Sequence, residues 1–296
     1  MPKKTIPKFL KFDSILDGQI MDIIYLTRFG VGFAHDDVEG LVYKIDQSFV
    51  VTTFYKQSST NGLGGKQLKT NSEEDCLFVL SGPNTIAVFT EPHLGANLLV
   101  KIEKVKGTVI TDYLPLRDDK IITVSDNGYL CIYRFAKNFQ TLLSQLRLPI
   151  VFGQEQVVSL SMCPKNKYLV VSSSYISQSS AAKLFLLKIR HGNFELDLRY
   201  QRDYTFEEEY NQPNTLFSHL NIIGYQGDCP ILYAYQLGNQ KKVTGFLVHK
   251  DRLEEVYNLF DFHYSYSFMN RVFEGNLYSI DLAGNMTILP VDWLEA

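Results

Sequence analysis

Ile110-Thr111-Asp112-Tyr113-Leu114-Pro115-Leu116, Lys120-Ile121-Ile122-Thr123-Val124-Ser125 and Tyr129-Leu130-Cys131-Ile132-Tyr133-Arg134-Phe135 are three short runs rich in β-branched and aromatic residues. Such side chains fit a pleated, half-buried surface, so each run reads as a strand. Asp126-Asn127-Gly128 separates the last two. A glycine there takes positive φ at little cost, which predicts a tight hairpin.

The same phrase recurs, with drift, on both sides. Met21 to Thr27, Gly30 to Ala34 and Leu41 to Asp46 repeat it early, with His35-Asp36-Asp37-Val38-Glu39-Gly40 as the turn. Cys76 to Ser81 and Thr85 to Glu91 repeat the hairpin around Gly82-Pro83-Asn84, behind a weak first strand. Val157 to Cys163, Tyr168 to Ser173 and Lys183 to Ile189 follow, with a Ser-rich insert at the turn. Leu216 to Ile223, Pro230 to Tyr235 and Val243 to Lys250 are joined at Gly238-Asn239-Gln240, and Tyr266 to Val272, Asn276 to Leu282 and Met286 to Val291 close the series around Ala283-Gly284-Asn285. The third strands begin near Leu41, Thr85, Tyr129, Lys183, Val243 and Met286, in steps of 44, 44, 54, 60 and 43 residues. Three of those steps suit a four-stranded propeller blade. The two long ones carry visible additions, Ser172 to Ala182 and Tyr200 to Asn214.

The expectation is an all-β, six-bladed β-propeller of four-stranded antiparallel blades in a single domain, with seven blades as the alternative. Blade copies span about 18–55, 66–104, 108–149, 156–199, 215–262 and 264–292. The last lacks an outer strand, and Thr5 to Phe12 is the candidate to pair with it. That pairing closes the ring and removes free sheet edges.

Composition agrees with a folded, strand-rich chain: 45% hydrophobic residues, 21% charged, 18 Tyr and 20 Phe. A net charge of −3 offers no broad attraction to phosphate backbones, so no nucleic-acid partner is expected. Met1 to Lys8 is basic but lacks the apolar core of a secretory signal, and no run approaches a membrane span. The reading is a cytoplasmic protein, with the nucleus as the alternative. Cys76, Cys131, Cys163 and Cys229 are far apart in sequence and contain no Cys-x-x-Cys pair, which reads as buried structural thiols.

Gly32-Phe33-Ala34-His35-Asp36 with Gly40 to Asp46, and Ile122 to Tyr133, resemble degenerate WD repeats. Tyr133-Arg134 and Phe89-Thr90 stand where that family carries its Trp-Asp dipeptide. The resemblance implies that the second-to-third-strand hairpins point to the face most used for binding. That makes His35, Asp36, Asp37, Asn84, Asp126, Asn127, Asn239 and Asn285 candidates for a partner face. It also implies that a hairpin carboxylate orients the neighbouring loop, a position Asp126 matches best and Asp36 and Asp37 match less clearly.

Other polar clusters have bland and sharp readings. His35-Asp36-Asp37 beside Glu39 suits an acid–base or metal site, but Asp and Gly between apolar strands are ordinary turn formers. Glu207-Glu208-Glu209-Tyr210 reads as a solvated loop, or as a docking loop for a basic partner. Gly62-Leu63-Gly64-Gly65-Lys66 lacks the phosphate-loop spacing, and no Gly-x-Ser-x-Gly elbow is present. The favoured function is a non-catalytic scaffold holding one or more proteins of a larger assembly. Neither a cofactor nor a small-molecule ligand is expected. The alternative is a hydrolase or lactonase-type metalloenzyme whose channel-mouth ion takes oxygen ligands from Asp22, Asp112, Asn221 and Asn270.

Overall fold

The structure is a computed structural model, and its described residues are 20–290 apart from 27, 37–38, 49, 58–67, 104, 108, 152, 164–167, 176–180, 191–193, 206–215, 238–242, 260–266, 274–275 and 282–285. These residues form six antiparallel sheets in chain order. The first holds β1 (Ile20–Leu26), β2 (Val31–Asp36), β3 (Leu41–Ile45) and β4 (Val51–Lys56). The second holds β5 (Leu68–Thr70), β6 (Cys76–Gly82), β7 (Thr85–Thr90) and β8 (Asn97–Ile102). The third holds β9 (Ile110–Leu116), β10 (Lys120–Ser125), β11 (Tyr129–Ala136) and β12 (Phe139–Arg147). The fourth holds β13 (Glu155–Cys163), β14 (Tyr168–Tyr175), β15 (Ala181–Ile189) and β16 (Leu196–Thr205). The fifth holds β17 (Leu216–Gln226), β18 (Cys229–Leu237), β19 (Val243–Val248) and β20 (Leu253–Leu259). The sixth has three strands, β21 (Ser267–Phe273), β22 (Asn276–Asp281) and β23 (Met286–Pro290). No helix among the described residues is long and apolar enough to cross a membrane.

Each sheet is a meander, so consecutive strands pair and each blade needs only short turns. In the first three sheets the second strand is covered on both faces. All residues of β2, β6 and β10 are buried, whereas the outermost β12 is mostly exposed. The core therefore sits in the seams between blades rather than inside any one sheet. Phe78, Val88 and Ile102 of the second sheet pack with Ile110, Tyr113 and Phe135 of the third. Ile122, Ile132 and Leu148 pack in the same way against Leu160, Leu169 and Phe185 of the fourth. Between the first and second sheets the aromatic contacts run Phe33 to Phe54 to Phe89, with ring centroids 5.0 and 5.1 Å apart and edge-to-face geometry.

The innermost strands of successive sheets lie against one another, and β1 lies against β21, first sheet against last. This arrangement is that of a β-propeller with six blades among the described residues, in agreement with the repeat. The closing strand expected at Thr5 to Phe12 lies outside the described residues.

Candidate functional site

At the innermost strands the pairing register slips by one residue at the same place in five sheets: Ile20/Asp22, Ile110/Asp112, Val157/Ser159, Phe217/His219 and Ser267/Met269. A bulge re-aims the side chain beside it. Among the described side chains at these slips, three reach the next blade. Asp22 Oδ2 accepts the Leu68 N–H at 2.8 Å, Asp112 Oδ2 accepts the Leu160 N–H at 2.9 Å, and Ser159 Oγ accepts the Leu220 N–H at 3.4 Å.

Asp112 has the fullest set of contacts. Its Oδ1 receives the Lys69 ammonium from the second blade and its own neighbour's Tyr113 N–H, while its Oδ2 also receives the Ser159 hydroxyl. Lys69 donates in addition to the Tyr113 carbonyl and lies over the Tyr113 ring. The buried Tyr113 hydroxyl donates back to the Phe78 carbonyl at 3.0 Å. One carboxylate thus ties the second, third and fourth blades together. Asp22 and Asp112, the aspartates considered above as ion ligands, both hold the backbone of the neighbouring blade. The side chains of Asn221, Asn270 and His219 lie outside the described residues.

A second set of ties runs at the hairpin end. The Pro83 carbonyl accepts the Ile110 N–H at 2.6 Å, and the Asp126 carbonyl accepts the Val157 N–H at 3.0 Å, so each hairpin grips the first strand of the next blade. The Asp126 carboxylate accepts the Val109 N–H at 3.0 Å and the Asn127 N–H at 2.9 Å, fixing the loop that leads into β9. Ser125 Oγ donates to Asn127 Oδ1 at 2.8 Å and accepts the Tyr129 N–H.

This loop leaves no room at Gly107, whose φ is +116° and where a Cβ would stand 2.2 Å from both Cβ and Oγ of Ser125. Gly107→Ala is expected to cost about 2–3 kcal/mol, because the clash is with a side-chain root that cannot rotate away. Chemical denaturation of the purified variant checks this. Unchanged stability would mean that the loop does not sit against the hairpin.

The remaining hairpin candidates divide sharply. His35 is fully buried and its Nε2 hydrogen-bonds Gln57 Oε1 at 2.9 Å. Gln57 Nε2 continues to the Leu80 carbonyl of the second blade at 2.7 Å. His35 therefore sits in a relay between two blades, inside the protein. Asp36 is also buried, and its Oδ1 accepts the Glu39 N–H, as a turn-forming aspartate does. Asn84, Asp126 and Asn127 are partly exposed at the hairpin end. Asp37, Asn239, Asn285 and the Glu207, Glu208, Glu209 and Tyr210 segment lie outside the described residues. Lys69, Gln57 and Ser159 make inter-blade contacts that no local motif marks.

The outer rim has a different character. The exposed large apolar side chains among the described residues lie in outermost strands or in the loops beside them: Val50, Leu94, Leu98, Phe139, Leu142, Val151 and Val256. On the second and third blades two of them adjoin an inter-blade junction in sequence. Asn138 N–H donates to the Leu99 carbonyl at 3.2 Å, and Gln140 exchanges two hydrogen bonds with the Glu103 backbone. Leu98 (47% exposed) and Phe139 (54%) are the sequence neighbours of Leu99 and Asn138, and Leu94 and Leu142 are also exposed.

Comparison with solved structures agrees with this architecture. The β-propeller domain of Cps50 (Swd1) from Myceliophteria thermophila aligns with a TM-score of 0.53 at 10% identity, over 93% of this chain and 98% of that one. A protein from Lactobacillus plantarum aligns with a TM-score of 0.65 at 13% identity, over 91% of this chain and 83% of that one. No protein-family model and no curated protein matches the sequence. The class defined by fold and neighbours is thus the β-propeller.

Proposed function

We propose that this chain is a non-catalytic, WD-repeat-like scaffold that holds at least one other protein within a cytoplasmic assembly. The observation that carries the reading is the exposure of Leu98 and Phe139 on the outermost strands of the second and third blades, each next in sequence to a residue of the hydrogen-bonded inter-blade junction. Large apolar side chains left exposed on a rigid fold are candidates for contact sites. The ties through Asp22, Asp112 and Asp126 keep that surface rigid, so binding there costs little ordering entropy. The partly exposed hairpin residues Asn84, Asp126 and Asn127 supply a second, polar surface. A propeller domain of another organism lends the fold precedent, and nothing more, at 10% identity.

The metalloenzyme reading has less support. Its aspartates, Asp22 and Asp112, already accept backbone N–H groups from adjoining blades. A stoichiometric, chelator-removable divalent ion in the purified protein would favour it over the scaffold.

The rim is tested with Leu98→Asp/Phe139→Asp. Both residues are half exposed, so the melting temperature is expected to change little, while partners that co-purify with the parent chain from its native cells are lost by at least about tenfold. Full retention of every partner by the folded double variant would remove the rim from the account.

A further inference from the structure

A cluster of reactive side chains lies at the far edge of the fifth blade, away from the surfaces discussed above. Gly227 and Asp228 form the turn between β17 and β18, and Cys229 opens β18 in a partly exposed position. The register that pairs Ile231 with Leu247 carries Cys229 opposite His249, the residue that follows β19. His249 N–H donates to the Arg252 carbonyl at 3.0 Å, and this turn leads into β20, where Glu254 sits.

The side chains form a line. Cys229 Sγ is 3.6 Å from His249 Nδ1, and His249 Nε2 is 2.8 Å from Glu254 Oε2. A carboxylate only accepts, so in the neutral imidazole the proton sits on Nε2 and the Nδ1 lone pair faces the thiol. A thiol, a base and a carboxylate that orients the base make up the arrangement that generates a nucleophilic thiolate. Arg252 Nη2 also donates to Glu254 Oε2, at 3.4 Å, and steadies the carboxylate. The imidazole stands between sulfur and carboxylate, so the three groups do not converge on one metal ion.

The other cysteines differ. Cys76, Cys131 and Cys163 are buried. Burial pushes the Cys76 thiol up to about 12 and raises that of Cys131 as well, so both stay protonated. Cys163 Sγ lies against the Tyr225 hydroxyl. Partial exposure next to a base distinguishes Cys229 among the four.

We propose that Cys229 is a reversible thiol-modification site whose reactant is a small disulfide of the glutathione class. The Cys229 thiol gives its proton to His249 Nδ1, and the sulfur attacks one sulfur of the disulfide. The new bond joins Cys229 Sγ to that sulfur as the reactant's S–S bond breaks. The departing thiolate collects the proton from His249 and leaves as a thiol, so the disulfide is the only oxidant required. The added group would sit on an exposed turn, where it changes surface shape and charge without entering the core.

The test uses the folded, full-length protein with glutathione disulfide at neutral pH, read by intact mass and peptide mapping. A single adduct on Cys229, removed by a reducing thiol, is expected. His249→Asn is expected to slow its formation about tenfold and Glu254→Gln to slow it by a smaller factor. Glu254→Asp should restore part of the rate, which a merely structural role for the carboxylate would not do. Adducts spread over the four cysteines, or equal rates in the parent and a folded His249→Asn, would overturn the proposal. Should His249→Asn not fold, the rate of the parent protein against N-acetylcysteine amide decides: no advantage over that free thiol overturns it.

Discussion

Asp112→Ala lowers the free energy of unfolding by about 3–5 kcal/mol, the range for removing one partner of a buried ion pair. The substitution removes the acceptor of the Lys69 ammonium, the Leu160 N–H and the Ser159 hydroxyl together. Each is left in a seam that water reaches poorly, since Asp112 is almost wholly buried and Lys69 is 18% exposed. Asp112→Asn keeps the shape and one acceptor oxygen but loses the charge, so it falls between parent and alanine. Urea denaturation of the three proteins measures the order. A loss below about 1 kcal/mol for alanine, the size of an ordinary substitution, would mean that the blades do not depend on this carboxylate.

In the fourth blade, Glu155→Ala is expected to cost a similar amount, about 3–5 kcal/mol, for a related reason. Lys183 Nζ donates to both oxygens of Glu155, at 2.9 and 3.2 Å, across the buried end of the sheet. Asp203 is 3.6 Å from the same ammonium but mostly exposed, so it stays hydrated and compensates little. Without Glu155 the lysine loses the carboxylate that takes two of its hydrogen bonds. A buried pair differs from a stranded charge, because two well-packed apolar side chains can replace it at little cost. Glu155→Leu/Lys183→Met should therefore recover most of what either single change loses, and a double-mutant cycle gives the coupling directly. Additive losses would show that the two residues act separately.

The strands and their hairpins were legible because they depend on local chemistry. Tyr129 to Phe135 is an apolar, aromatic-rich run broken by Arg134 alone, and Gly128 has the positive φ, +85°, that its turn position called for. The blade repeat followed from the spacing of such hairpins. The weak first strand ahead of Cys76 was visible too, and β5 is only three residues long.

The ties between blades were not legible, because they depend on register. Met21, Thr111 and Val158 are each skipped by the pairing, and only that slip turns Asp22, Asp112 and Ser159 toward the next blade. Nothing local distinguishes a bulged residue from its neighbours, and Ser159 performs with a hydroxyl what the other two perform with carboxylates. Lys69 and Asp112 are 43 positions apart, beyond any short motif. His35 looked like part of a polar turn, yet β2 runs on through Asp36 and both faces of that strand are covered. Polarity alone could not separate a buried relay from an exposed loop. The line of Cys229, His249 and Glu254 needed the cross-strand register as well.

The scaffold reading is tested most directly by purifying the tagged full-length protein from its native cells at moderate and high salt and quantifying co-eluting chains by mass spectrometry. The account predicts at least one partner at near-equal stoichiometry that survives high salt, because an apolar contact is not screened by ions. Recovery of the chain alone at both salt concentrations would contradict it.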